Sequence, residues 1–154
     1  MKKGCMTGLV LVVVLAAILA FAWPQLSQGV LKVLSPQRYI DLDPGLVYAV
    51  IKTESGFDPE ARSHADAMGL MQLTQGTFDW VASLYPLEDP AASVYDPQAN
   101  IHCGCALLRL LLDQYGSLDV ALAAYNAGMG NVSQWLESGE YSHDGETLHT
   151  IPYP

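Results

Sequence analysis

Between residues 43 and 54 the apolar positions Leu46, Val47, Val50 and Ile51 share one face of a 3.6-residue helix. At about 100° per residue the next position on that face falls roughly 20° from Val47 and 40° from Val50. It is occupied by a carboxylate, Glu54. Asp43 followed by Pro44 gives this helix an N-cap and a first helical residue. The stretch GFDPEARSHADAMGLMQL that follows is turn-rich, with Asp58-Pro59 offering another cap and Gly69 a backbone release. GTFDWVASLY then reads as a short amphipathic helix stopped by Pro86, and PLEDPAASVYDP as a loop. Asp96-Pro97 repeats the cap signal and opens the longest helix, along which Ile101, Cys105, Leu108, Leu112 and Tyr115 recur until Gly116. Ser117 caps LDVALAAYNA, Gly128 closes it, and GNVSQWLES adds one or two turns. Nothing alternates with period two for long, although residues 139–151 leave room for a short strand pair. The pattern predicts a small all-α domain of about 110 residues, with no internal repeat.

A different pattern occupies the N-terminus. Lys2 and Lys3 precede twenty residues without a charge, ending at Trp23, enough to span a bilayer as a helix. A cleaved signal peptide and a retained anchor both fit: AFA at 20–22 matches a cleavage site. The length of the apolar run and the position of Pro24 favour the anchor. Either way the lysines stay inside and the remainder is exported. The chain is therefore divided into a signal anchor (1–23), a juxtamembrane connector (24–42) and a helical domain (43–154).

Charge narrows the partners. Without Lys2 and Lys3 the chain holds five basic against sixteen acidic residues, a net charge of −11. A phosphate backbone needs basic surface, so nucleic acid is excluded as a partner. Cys103 and Cys105 stand two apart on the expected long helix and face different directions, which suits small buried residues better than a disulfide. The histidines at 64, 102, 143 and 149 show no paired metal-ligand spacing, and neither a metal nor a cofactor is expected.

Candidate chemistry centres on Glu54. An ionised carboxylate facing a helical core costs several kcal/mol unless paired. No basic residue stands three or four positions away on that face. Burial then favours the protonated form, the state of a general acid. A helix-end glutamate turned toward solvent is the plain alternative.

Three separated stretches bear on that choice: ESGFDPEARS (54–63), GLMQL (69–73) and ALAAYNAGMGNV (121–132), with DPQANIHCG (96–104) between the second and third. As a set, they resemble the lytic transglycosylase family with the goose-type lysozyme fold, from about Asp43 to Pro154. The resemblance implies a lysozyme-like helical domain, here expected behind the single transmembrane helix read from the N-terminal apolar run. It implies Glu54 as catalytic acid and then base, and Ser63 as a serine that contacts sugar or positions the acid. It implies Gln72 as a groove residue with Met71 supporting it by packing, Tyr125 as the tyrosine near the catalytic carboxylate, and Asn126 as its polar neighbour. Taken physically, the Tyr125 phenol can offer one hydrogen bond to Glu54 or to an acetamido group. Two departures stand out. Thr74 replaces a methionine that in relatives lies against bound sugar, and the sequence reads TIPYP where relatives continue with E-T-x-x-Y-V, part of one groove wall.

Hydrolytic glycosidases usually use two carboxylates. The residues near Glu54 in sequence, Asp58, Asp66 and Asp79, have no context suggesting a dedicated partner. One acid suffices if the substrate supplies its own nucleophile. The activity that the family resemblance implies, and with which a lone acid agrees, is non-hydrolytic cleavage of the β-1,4 bond between N-acetylmuramic acid and N-acetylglucosamine, leaving 1,6-anhydromuramic ends. A hydrolytic muramidase and a non-catalytic peptidoglycan-binding module are the alternatives. Peptidoglycan glycan strands are the expected substrate, on the extracytoplasmic face of the cell membrane, with cell-envelope machinery a candidate partner.

Overall fold

The computed structural model describes residues 41–152. The expected anchor and all of the connector except Asp41 and Leu42 lie outside the described residues. Among the described residues no helix is long and apolar enough to cross a membrane.

Five helices follow one another: α1 (Pro44–Glu54), α2 (Gln75–Leu84), α3 (Pro97–Tyr115), α4 (Leu118–Ala127) and α5 (Met129–Glu137). Their starts are set by local chemistry. Asp43 accepts a hydrogen bond from the Gly45 N–H at 2.7 Å, with Pro44 in the first helical turn. Asp96 does the same for Ala99 at 2.9 Å, with Pro97 behind it. α2 begins at Gln75 because Thr74 takes the cap, its hydroxyl accepting from the Thr77 N–H at 3.2 Å. The threonine that departs from the family pattern thus has a job in the helix it precedes. Gly116 ends α3 in the left-handed conformation at φ 66°, which glycine adopts without steric cost. Ser117 holds the N-cap position of α4, but its side chain makes no capping bond.

α3 packs against α2 and α4, and α4 against α5. Its length brings two apolar clusters together. The larger one gathers Cys103, Ala106, Leu107 and Leu111 of α3 with Phe78 and Val81 of α2, Val120 and Ala124 of α4, and Val132 of α5. The smaller one joins Cys105 and Leu108 of α3 to Val50 and Ile51 of α1, to Met71, and to Leu42. Leu42, the last residue of the expected connector, is buried against this cluster. Leu108 and Leu111 are enclosed, and each contributes roughly 1.5–3 kcal/mol by burial. The two cysteines between them behave as expected from their spacing: both are free and buried, each in a different cluster.

The strand pair for which residues 139–151 leave room does not form. A single backbone bond, His149 N–H to Tyr141 O at 3.0 Å, joins its two arms. Asp144 takes up the intervening backbone, accepting from the N–H groups of Glu146 and Thr147 and from the Thr147 hydroxyl. The bridge-like pairing among the described residues lies instead in the loop between α1 and α2, where Met68 pairs with Arg62 and with Leu73.

Candidate active site

α1 delivers Glu54 at its last turn, half-buried. Burial alone raises its pKa above the usual glutamate value, and no charged group is among the causes. Lys52, two residues earlier, is exposed and places its ammonium 5.8 Å from the centre of the Phe57 ring. The next residue fixes the helix end. The Ser55 hydroxyl donates to the Leu70 carbonyl at 2.8 Å and accepts from the Phe57 N–H at 3.2 Å, tying α1 to the loop that carries GLMQL.

That loop departs repeatedly from ordinary backbone geometry. Phe57, Asp66 and Gln72 have positive φ, as do Gly56 and Gly69. At Gly69 a side chain is excluded on two counts: φ is 75°, and a Cβ would sit 2.4 Å from Asn100 Nδ2. Gln72, at φ 50°, is held by its own amide, which donates to Gly69 O at 3.0 Å and Ala61 O at 3.2 Å. Both amide protons are thereby used, and the carboxamide oxygen is left to accept.

Met71 is fully buried in the smaller cluster, where its side chain lies over Gly104 of α3. A Cβ at residue 104 would lie 2.4 Å from the Met71 sulfur. Met71 therefore offers the site its main chain, not its side chain. Its N–H donates to Asn100 Oδ1 at 2.7 Å, and its carbonyl accepts from the Tyr125 hydroxyl at 2.8 Å. The phenol proton is thus committed to Met71 and not to Glu54. Burial raises the Tyr125 pKa well above its usual value, and the nearby charges of Glu54 and Cys105 raise it further. Glu54 and Tyr125 are in electrostatic reach of each other.

The structure brings Glu54, Met71, Gln72 and Tyr125 into one neighbourhood through these links. It does not join Ser63 or Asn126 to them by any hydrogen bond among the described residues. The Ser63 hydroxyl accepts from the N–H groups of Ala65 and Ala67, shaping its own turn. Asn126 is exposed in the last turn of α4. The three carboxylates weighed against Glu54 have local partners: Asp58 accepts from Glu60 N–H, Asp66 pairs with Arg62 at 2.7 Å, and Asp79 accepts from Gln75. Among the described residues no group of three His, Cys, Asp or Glu is placed to hold a metal ion.

Two residues were missed from sequence, Ser55 and Asn100. Asn100 is fully buried, and its amide donates to Met68 O at 3.1 Å and Val94 O at 2.8 Å. A signal for it existed. At about 100° per residue it lies roughly 20° from Leu107 and Leu111, a polar residue on an apolar stripe, as Glu54 is.

Residues 36–147 match the model of the Transglycosylase SLT domain. The chain is 42% identical over 111 residues to a protein of Enterobacteria phage PRD1 named Transglycosylase, covering 72% of this chain and 38% of that one. It is 38% identical over 112 residues to Membrane-bound lytic murein transglycosylase C of Cronobacter sakazakii, covering 66% and 31%. Among solved structures it is similar to lytic transglycosylase Slt of Pseudomonas aeruginosa, an inactive mutant with a glutamate replaced by glutamine. The TM-score is 0.59 at 34% identity, over 67% of this chain and 17% of that one. The 70 kDa soluble lytic transglycosylase of Escherichia coli matches with the same TM-score of 0.59 at 29% identity, over 69% and 18%. The chain spans well under half the length of each of these relatives.

Proposed function

The chain belongs to the transglycosylase SLT family, and from that premise we propose that its helical domain is a peptidoglycan lytic transglycosylase in which Glu54 acts as acid and then base. One observation carries the reading. Glu54 is held toward its protonated form by burial, at the end of a helix and within electrostatic reach of Tyr125, while Asp58, Asp66 and Asp79 have partners of their own.

The chemistry follows from one titrating group. Protonated Glu54 gives its proton to the glycosidic oxygen between N-acetylmuramic acid and N-acetylglucosamine, and the C1–O bond breaks. The 2-acetamido oxygen of the muramic residue bonds to C1 and holds the positive centre. The Glu54 carboxylate then takes the proton of the C6 hydroxyl, and O6 displaces the acetamido oxygen at C1. A 1,6-anhydro ring closes, no water is consumed, and Glu54 is protonated again. Intramolecular attack makes a second carboxylate unnecessary. Gln72, with its carboxamide oxygen unoccupied, is suited to accept from a sugar hydroxyl or amide. Ser63 and Asn126 act as sugar contacts further along the strand, and Met71 supports the site from within the core.

The test is mass spectrometry of purified peptidoglycan after incubation with the full chain in mild detergent, beside Glu54→Gln. Anhydro ends from the parent and intact strands with Glu54→Gln are expected. Reducing ends would identify a hydrolytic muramidase, and intact strands with the parent a binding module. Equal cleavage by both proteins would remove Glu54 from the mechanism.

The apolar run at 4–23 is read as an anchor that limits cutting to wall near the membrane, on its extracytoplasmic face, within reach of envelope machinery. The name of the Cronobacter relative supports membrane association. Recovery of the expressed chain as a free secreted protein would overturn this.

A further inference from the structure

Ser55, the neighbour of Glu54, donates to Leu70 O at 2.8 Å, and the Tyr125 phenol donates to the next carbonyl, Met71 O, at 2.8 Å. Carboxyl and phenol are thus tied to one turn and feel each other's charge, yet the phenol donates elsewhere. A phenol has one proton. While it rests on the Met71 carbonyl, the phenol oxygen has only lone pairs left to offer. Such an oxygen can accept from a protonated glutamate and cannot donate to an ionised one.

The Met71 carbonyl is not free to leave. The N–H of the same residue is held by Asn100 Oδ1 at 2.7 Å, and the side chain is fully enclosed over Gly104. Asn100 is in turn fixed by its two donations, to Met68 O and to Val94 O, which span the loop and the segment before α3. All its amide protons are used, and Gly69 leaves no gap into which it could rotate. We infer that Asn100 is a positioning residue for Glu54: by pinning the Met71 main chain it commits the Tyr125 hydroxyl proton to the Met71 carbonyl and withholds it from the Glu54 carboxylate.

The relay runs from α3 through the loop to α4 and ends at α1. Around Glu54 it involves two other titratable groups. Tyr125 comes from α4, and Cys105 of α3 interacts with Tyr125. The Cys105 thiol is pushed up to about 11 by burial, so it stays neutral while Glu54 titrates. Lys52 of α1 is turned to Phe57. The importance of this relay for catalysis rests on Glu54 being the proposed acid, but the titration of Glu54 can be read without any substrate.

The experiment follows the Glu54 carboxyl by carbon NMR across pH in the full chain in detergent micelles. Asn100→Ala should lower its midpoint by about one pH unit, because the released phenol can then donate to the ionised carboxylate. The same substitution made on Tyr125→Phe should leave the midpoint of that background unchanged. A merely structural role predicts equal shifts in both backgrounds, or none, and either result overturns the proposal. If Asn100→Ala does not fold, the unaltered chain decides. Its Tyr125 hydroxyl proton should stay next to Met71 on both sides of the Glu54 titration. A proton that turns to Glu54 as the carboxylate ionises overturns the proposal. Failure of the peptidoglycan cleavage assay would leave these titrations as they stand.

Discussion

Two irregular stretches of the domain, residues 55–74 and 138–150, are held together in opposite ways. The second shapes itself. Asp144 and Ser142 bond to groups within three positions, and nearly all of those bonds are exposed or half-exposed. The first also has local turns, but its decisive partners come from far along the chain. Asn100 reaches it from 29 and 32 residues away, and Tyr125 from 54. A self-made loop has a shape, whereas a loop pinned by buried groups on two helices has a position. The general-acid role proposed for Glu54 needs the latter, because catalysis is sensitive to small misplacement.

The difference can be broken directly at Asn100. Asn100→Ala strands the Val94 carbonyl and the Met71 N–H without partners in the core, a loss of about 3 kcal/mol. Chemical denaturation should show it directly. Gly69→Ala and Gly145→Ala sharpen the contrast, since the two glycines share a left-handed φ of 75° and 76°. At residue 145 an added Cβ meets only Leu136 O at 3.9 Å, whereas at 69 it strikes Asn100 and Val94 O. Gly145→Ala should cost about 1 kcal/mol from backbone strain, and Gly69→Ala a further 1–3 kcal/mol, roughly, from overpacking.

Smaller effects come from the carboxylates. The folded protein binds the Glu54 proton more tightly than the unfolded chain does, so this residue lowers stability as pH rises above the usual glutamate range. Glu54→Gln should therefore raise the thermal midpoint at pH 7, and the gain should vanish by about pH 3, where both states hold the proton. Asp144 has the opposite sign. Its bonds to the Thr147 hydroxyl and backbone hold its carboxyl well below the usual aspartate range. Their contribution is present above the unfolded pKa of about 4 and is lost only in stronger acid. Asp144→Ala should speed hydrogen exchange at Gly145, Glu146 and Thr147 while leaving the global midpoint almost unmoved.

The helix starts at Asp43-Pro44 and Asp96-Pro97 were legible because capping is decided within three residues. The stop at Gly116 was legible for the same reason. Glu54 was legible because burial on a helix face follows from periodicity alone. The direction of the Tyr125 hydroxyl was not, since its acceptor is a main-chain atom brought near by folding. Ser63 shows the converse problem, for its hydroxyl oxygen accepts from the turn it sits in and only its proton is left to donate to sugar. At 139–151 the period-two pattern was too short to outweigh Asp144, whose side chain binds the backbone locally.

Cys103 and Cys105 flank Gly104 and look into opposite sides of α3, each thiol pushed up to about 11 by its surroundings. Neither sulfur is available for covalent exchange until the central helix opens. Alkylation at these two positions therefore clocks the opening of the bundle, with one sulfur timing each side of it.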